Sequence, residues 1–346
     1  MLALLFHGID IFYDEESIWL LQNLSEKYIL KSYIVGTMGI TSLFDSRIEG
    51  VELIFKRPSK AISELEGFDK VIIVLKARSI ETAKAFLGTI GERVSFDGEI
   101  LGIDINTRSL FEVKPGLSDI KTYLLPLGYK EEYLSGGIDV KEEGDLLVRS
   151  VKGCKPGELL LFKGLVVGTV TSKDVKIFVK DKKIQNISGV KIKKHGLEKI
   201  KEIDIYSIKI DSTPGFETRD STLIKKLKGD QILFINHDAY SIYKNLSNIS
   251  GAVTVGDDTT RISGYILKRF GIPVIGIIDG DKDGVIKGEQ FYTGSVLFHV
   301  EKDDIEGDKI FSYFFNKNSR IKSDYKLLRV NIENFLGEKI LKKIEY

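Results

Sequence analysis

The sequence predicts an α/β protein in which two Rossmann-like or Toprim-like parallel-sheet domains flank a small antiparallel β-rich module. Three observations predict it. Strand and helix patterns alternate over residues 2–87, short apolar runs separated by turn residues crowd residues 146–187, and alternation resumes from residue 231. Alternating strands and helices imply a parallel sheet covered by helices, whereas closely spaced short strands imply antiparallel pairing. The corresponding division is 1–140, 141–200 and 201–346.

In the first domain the apolar run at residues 2–6 predicts a strand. Ile18, Leu21 and Leu24 then form the stripe of a helix over 15–28, with Trp19 and Tyr28 at its edge. A second strand at 33–35 leads into Gly36-Thr37-Met38-Gly39-Ile40-Thr41. A short helix (59–65), a strong strand (70–75) and another helix (79–87) follow. In the module, runs at 146–150, 158–162, 165–171, 175–179 and 184–187 predict short strands. The last domain reads as strand 231–236, helix 239–246, strand 252–255, helix 259–270 and strand 274–278. Asp258 is placed to cap the later helix, Ile262, Ile266 and Phe270 give it one apolar face, and Gly271 and Pro273 end it.

Composition removes several function classes. Lys and Arg number 51 against 50 Asp and Glu, so the whole chain is not a nucleic-acid polyelectrolyte. Its densest positive stretch, residues 173–201, has Phe178 as its sole aromatic and reads as a solvated face, so nucleic acid is not an expected partner. The single cysteine, Cys154, excludes an intramolecular disulfide and a multi-cysteine zinc or iron–sulfur site. The four histidines are far apart, with no zinc-helix spacing. The short apolar start, interrupted by His7-Gly8-Ile9-Asp10, reads as a strand and not a signal peptide. No apolar run is long enough to predict a membrane-spanning helix, and the expected location is cytoplasmic.

The chemistry concentrates in the last domain. Asp279-Gly280-Asp281-Lys282-Asp283-Gly284 follows the apolar run 274–278, at the carboxyl end of a predicted buried strand, where open α/β sheets bind ligands. Three carboxylates in five residues repel one another unless solvent, a hydrogen-bond network or a hard divalent cation offsets them. A polar turn with solvated acids fits the same residues. The run also matches the start of a calcium loop, but the twelfth position is Gln290 and the preceding element is a strand, which argues against an EF-hand. Two further polar clusters follow the two preceding strands: Asn236-His237-Asp238 and Gly256-Asp257-Asp258-Thr259-Thr260. If the strands are parallel neighbours, all three clusters meet at one edge of the sheet.

On this reading Asp279 and Asp281 are metal ligands and Asp257 a third carboxylate. Gly256, Thr259 and Thr260 are phosphate contacts at a helix start, and His237 or Asp238 is the acid–base group. The expected cofactor is Mg²⁺ or Mn²⁺. The expected activity is binding, hydrolysis or transfer of a phosphorylated ligand, with a nucleotide favoured. The alternative is a non-catalytic nucleotide- or nucleic-acid-binding regulator with a structural acidic cluster.

Asp279-Gly280-Asp281 resembles the Asp-x-Asp element of the Toprim fold of topoisomerases and primases, which holds Mg²⁺ there. The Toprim glutamate after an earlier strand has no match, because His237 and Asp238 occupy that place. Residues 256–277 resemble phosphohistidine swivelling domains in Gly271-Ile272-Pro273, but Thr259-Thr260-Arg261 supplies no histidine. Across most of the chain a further set of motifs resembles an uncharacterised family of methanogenic archaea, domain of unknown function 2117. These are His7-Gly8, Gly36-Thr37-Met38-Gly39-Ile40-Thr41, Lys194-His195-Gly196-Leu197-Glu198, Val255-Gly256-Asp257-Asp258-Thr259-Thr260 and Gly271-Ile272-Pro273-Val274-Ile275-Gly276 through Asp281. That resemblance implies a cytosolic archaeal protein and no particular activity.

Overall fold

In the computed structural model, which describes residues 1–134, 138–281 and 283–346, the chain divides into two compact units, Met1–Pro214 and Gly215–Tyr346. Lys282, part of the acidic run, lies outside the described residues.

The first unit opens with the expected parallel sheet. From edge to edge its strands are Val51–Ile54, Leu30–Val35, Leu2–His7, Lys70–Leu75, Glu99–Asp104, Ser109–Lys114 and Lys130–Glu132. The first five are parallel, and Ser109–Lys114 turns antiparallel to Glu99–Asp104. Leu2–His7 and Lys70–Leu75 are continuous apolar runs because helices cover both faces of such a sheet. Ser79 caps the helix Ile80–Arg93 by accepting from the Thr82 N–H, and that helix runs well past residue 87.

The β-rich part forms two four-stranded antiparallel sheets. It does not end at residue 200. Strand Ile210–Thr213 pairs with Leu159–Phe162, and Ile203, Ile205 and Ile208 complete the apolar core around Leu160, Val167 and Ile177. Buried Arg149 fixes this last segment by donating to the carbonyls of Ile205 (2.9 Å) and Ile208 (3.0 Å). Arg78, beyond strand Lys70–Leu75, ion-pairs with buried Glu158 and donates to the Ser212 carbonyl at 2.9 Å. Glu158 also accepts from Ser212 Oγ (2.8 Å), so the clamp leaves little of the buried charge uncompensated.

The second unit is built on a six-stranded sheet in the order Arg320–Lys322, Gln231–Asn236, Ile249–Val255, Val274–Ile278, Val296–His299, Lys342–Glu345. The four middle strands are parallel and the two edges antiparallel. The helix after Ile249–Val255 begins at Asp257 and runs to Leu267. Gly256 holds the N-cap position, so Asp258 lies inside the first turn. Gly271, in the left-handed region at φ 67°, ends the following 3-10 turn as expected. The helix expected over residues 239–246 is replaced by two 3-10 turns, Ala239–Ser241 and Tyr243–Asn245. Ser, Tyr and Asn are weak helix formers, and Arg320 takes up backbone carbonyls there by donating to Asn245 O (3.0 Å) and Ser247 O (3.1 Å). The core of this unit gathers Val253, Ile275, Phe298, Ile310, Phe315 and Ile332. Among the described residues no helix is long and apolar enough to cross a membrane.

Candidate metal centre

Parallel pairing of Gln231–Asn236, Ile249–Val255 and Val274–Ile278 as direct neighbours brings the three polar clusters to one edge of the sheet. The next parallel strand, Val296–His299, adds a fourth connection, which ends at the first turn of helix Asp303–Tyr313. Asp257, Asp279 and Asp303 meet there, and each offers a carboxylate oxygen within 4.8 Å of the others.

Asp257 and Asp303 are only 5% and 6% exposed, and Asp279 is half-buried. Two unit charges at about 5 Å in an effective dielectric of about 20 interact by about 3 kcal/mol, so three bare carboxylates at this spacing need a cation or a proton. The side chains show that stress. Burial pushes the Asp303 carboxyl up to about 6, and the charges of Asp279 and Asp304 add to it. Burial also raises Asp257, opposed by the Gly280 N–H and reinforced by the Asp279 charge. Asp257 Oδ2 is satisfied by the N–H groups of Asp279 (3.2 Å) and Gly280 (2.9 Å). Its Oδ1 is buried and has no hydrogen-bond partner among the described residues. A buried acceptor left in this state costs free energy, and a cation held by the triad would satisfy it.

The residues read from the sequence fall into three groups. Asp257 and Asp279 come together as ligand candidates. Asp281 does not join them: it is exposed, and its N–H donates to Asp279 Oδ1 at 3.0 Å, so it borders the centre through its backbone. Asp303, not Asp281, completes the carboxylate cluster. Two of the phosphate contacts are also corrected. The Gly256 N–H is spent on the Ile277 carbonyl (3.0 Å), extending the sheet ladder. Thr260 is fully buried, with Oγ1 2.7 Å from Thr254 Oγ1, so it packs the helix on the sheet. Thr259 remains half-buried at the helix start.

His237 adopts φ 52°, and its Nε2 lies 2.7 Å from Asp304 Oδ1. Asp238 Oδ1 is buried without a partner among the described residues, and burial raises its carboxyl above the usual range. Asp258 is pushed up to about 6, first by burial and then by the charge of Asp283. Asp303 is not among the residues expected from the sequence. The signal was available, since Val296-Leu297-Phe298-His299-Val300 is another apolar run followed by Asp303-Asp304.

A model of proteins conserved in archaea and described as uncharacterised (DUF2117) matches residues 4–318. The chain belongs to this archaeal family. It is also similar to an uncharacterised protein of Methanocaldococcus jannaschii, at 28% identity over 328 residues, covering 88% of this chain and 89% of that protein. No solved structure matches the chain. The third carboxylate beside Asp257 and Asp279 is Asp303, on a helix beyond the fourth parallel strand.

Proposed function

We propose that the second unit of this DUF2117 protein binds a divalent cation, Mg²⁺ or Mn²⁺, through Asp257, Asp279 and Asp303, and uses it to handle a phosphorylated ligand, with a nucleotide as the favoured class. The observation that carries the reading is the buried Asp257 Oδ1, which lacks a hydrogen-bond partner among the described residues and belongs to a triad within 4.8 Å. Oxygen-only ligands suit hard cations. Mg²⁺ keeps open positions for water and phosphate oxygens, so the ion would polarise a phosphoryl oxygen and lower the pKa of a bound water.

The chain's own groups then have distinct tasks. Thr259, at the start of helix Asp257–Leu267, supplies a hydroxyl for a phosphate oxygen. His237 is the acid–base group, oriented by Asp304, and Asp238 is the second candidate. The test is calorimetry with Mn²⁺ followed by a nucleotide panel in its presence, with phosphate release measured in parallel. Metal-dependent nucleotide binding is expected. Nucleotide binding that is indifferent to metal and to the triad variants would overturn the reading.

A further inference from the structure

The backbone that carries Asp279 is gripped from two sides. On one side, Asp257 Oδ2 accepts the N–H groups of Asp279 and Gly280. On the other, the Asp279 carbonyl lies 2.6 Å from His299 Nε2. A carbonyl oxygen can only accept, so Nε2 carries the proton in this contact. The imidazole reaches the carbonyl because residue 280 is glycine. A Cβ there would lie 2.9 Å from His299 Nε2, and the backbone sits at φ +88°, a region other residues rarely adopt.

The base of the histidine is equally fixed. The His299 carbonyl accepts the Leu341 N–H at 2.8 Å, and the next residue, Val300, donates to the Ile278 carbonyl at 2.8 Å. The imidazole thus stands at the end of a paired strand, and Asp303 follows it on the same connection.

We propose that His299 is a positioning residue for the metal centre. Its hydrogen bond to the Asp279 carbonyl holds the peptide that sets how the Asp279 carboxylate enters the triad. The proposal rests on the metal reading of Asp257, Asp279 and Asp303. Groups that orient metal ligands without touching the ion commonly control affinity by about 10- to 100-fold, because the ligand no longer has to be ordered at binding. The sequence offered His299 only as one of four scattered histidines.

The experiment titrates the full chain with Mn²⁺ alone, comparing wild type, His299→Ala and His299→Gln. Metal-free melting is recorded for each. Glutamine keeps an N–H donor near the position of Nε2. The expected result is a 10- to 100-fold loss of Mn²⁺ affinity in His299→Ala, most of it restored in His299→Gln, with metal-free melting nearly unchanged. Wild-type affinity in His299→Ala overturns the positioning role and leaves the metal reading standing. A loss of affinity that tracks a collapse of metal-free melting, with no rescue by glutamine, also overturns it, because the histidine is then structural. Absence of Mn²⁺ binding in the wild type ends the metal reading and the positioning role with it.

Discussion

At the scale of single residues, the proposed metal centre separates candidate ligands from their neighbours. Asp257→Asn, Asp279→Asn and Asp303→Asn each remove a charge from the triad and are expected to abolish measurable Mn²⁺ binding by calorimetry. Asp281→Asn keeps the N–H that contacts Asp279 Oδ1 and is expected to shift affinity less than about threefold, within the range of an exposed charge change. Equal losses for Asp281→Asn and Asp303→Asn would return the ligand set to the acidic run. The pH dependence follows from the raised carboxyls. Asp303 titrates near 6 when folded, against an ordinary 3.8, so the folded state binds its proton more tightly than the unfolded chain does. That contribution to stability is complete below the ordinary value and is lost as pH rises through about 6. Metal needs the ionised form, so Mn²⁺ affinity should move the opposite way, about tenfold weaker at pH 5 than on a plateau above pH 7. Flat affinity between those values would mean that Asp303 is not a ligand. Asp257 and Asp279 were legible because they follow their apolar runs within two residues, whereas Asp303 stands three residues beyond its run, in the first turn of a helix. Gly256 and Thr260 were misassigned for a physical reason: a residue type that suits phosphate binding also suits ladder extension and buried packing, and only pairing geometry distinguishes them.

At the scale of elements, the parallel strands were legible because strands buried on both faces read as unbroken apolar runs. The segment 239–246 was not, since its length allowed a helix while Arg320, far along the chain, draws Asn245 and Ser247 into contacts outside one. The extension of the β-rich part to Thr213 was hidden in the same way, because Arg149 and Leu159–Phe162 recruit it from a distance. The element that matters most for the centre is helix Asp303–Tyr313, and its seat is tight. A Cβ on Gly307 would lie 2.6 Å from Val255 Cγ2, and Val255 is fully buried at the end of its strand. Alanine gains up to about 1 kcal/mol of helix propensity, but overpacking a core costs about 1–3 kcal/mol. The second effect wins at so short a contact. Gly307→Ala should therefore lower the melting temperature of the second unit and weaken Mn²⁺ binding together, because Asp303 is one helical turn away on the displaced helix. An alanine variant with wild-type melting and affinity would show that the helix adjusts without moving its ligand.

At the scale of the molecule, charge and core placement set the expectations. The lysines of residues 173–201 lie in the β-rich part of the first unit, while the chain as a whole carries only +1, so binding to DNA or RNA should be weak and lost as salt rises. Submicromolar binding near physiological ionic strength would show that this face is a nucleic-acid surface. The apolar clusters around Leu5, Ile73 and Ile100 and around Leu160, Val167 and Ile177 belong to the first unit, that around Val253, Ile275 and Phe298 belongs to the second, and the carboxylate triad lies wholly in the second. A ligand that binds only folded protein stabilises what it binds by about 2.7 kcal/mol at a concentration 100 times its Kd. For a domain between 100 and 200 residues, each kcal/mol is worth roughly 3–6 °C, so saturating Mn²⁺ should raise the melting of the second unit by on the order of 10 °C. The first unit has no share in the triad and should move by less than about 2 °C. Scanning calorimetry of the full chain is therefore expected to resolve two transitions, with only one responding to metal, and Asp257→Asn should abolish that response. A single transition that shifts as a whole would show that the units unfold together. Two transitions rising equally would place metal binding outside the triad.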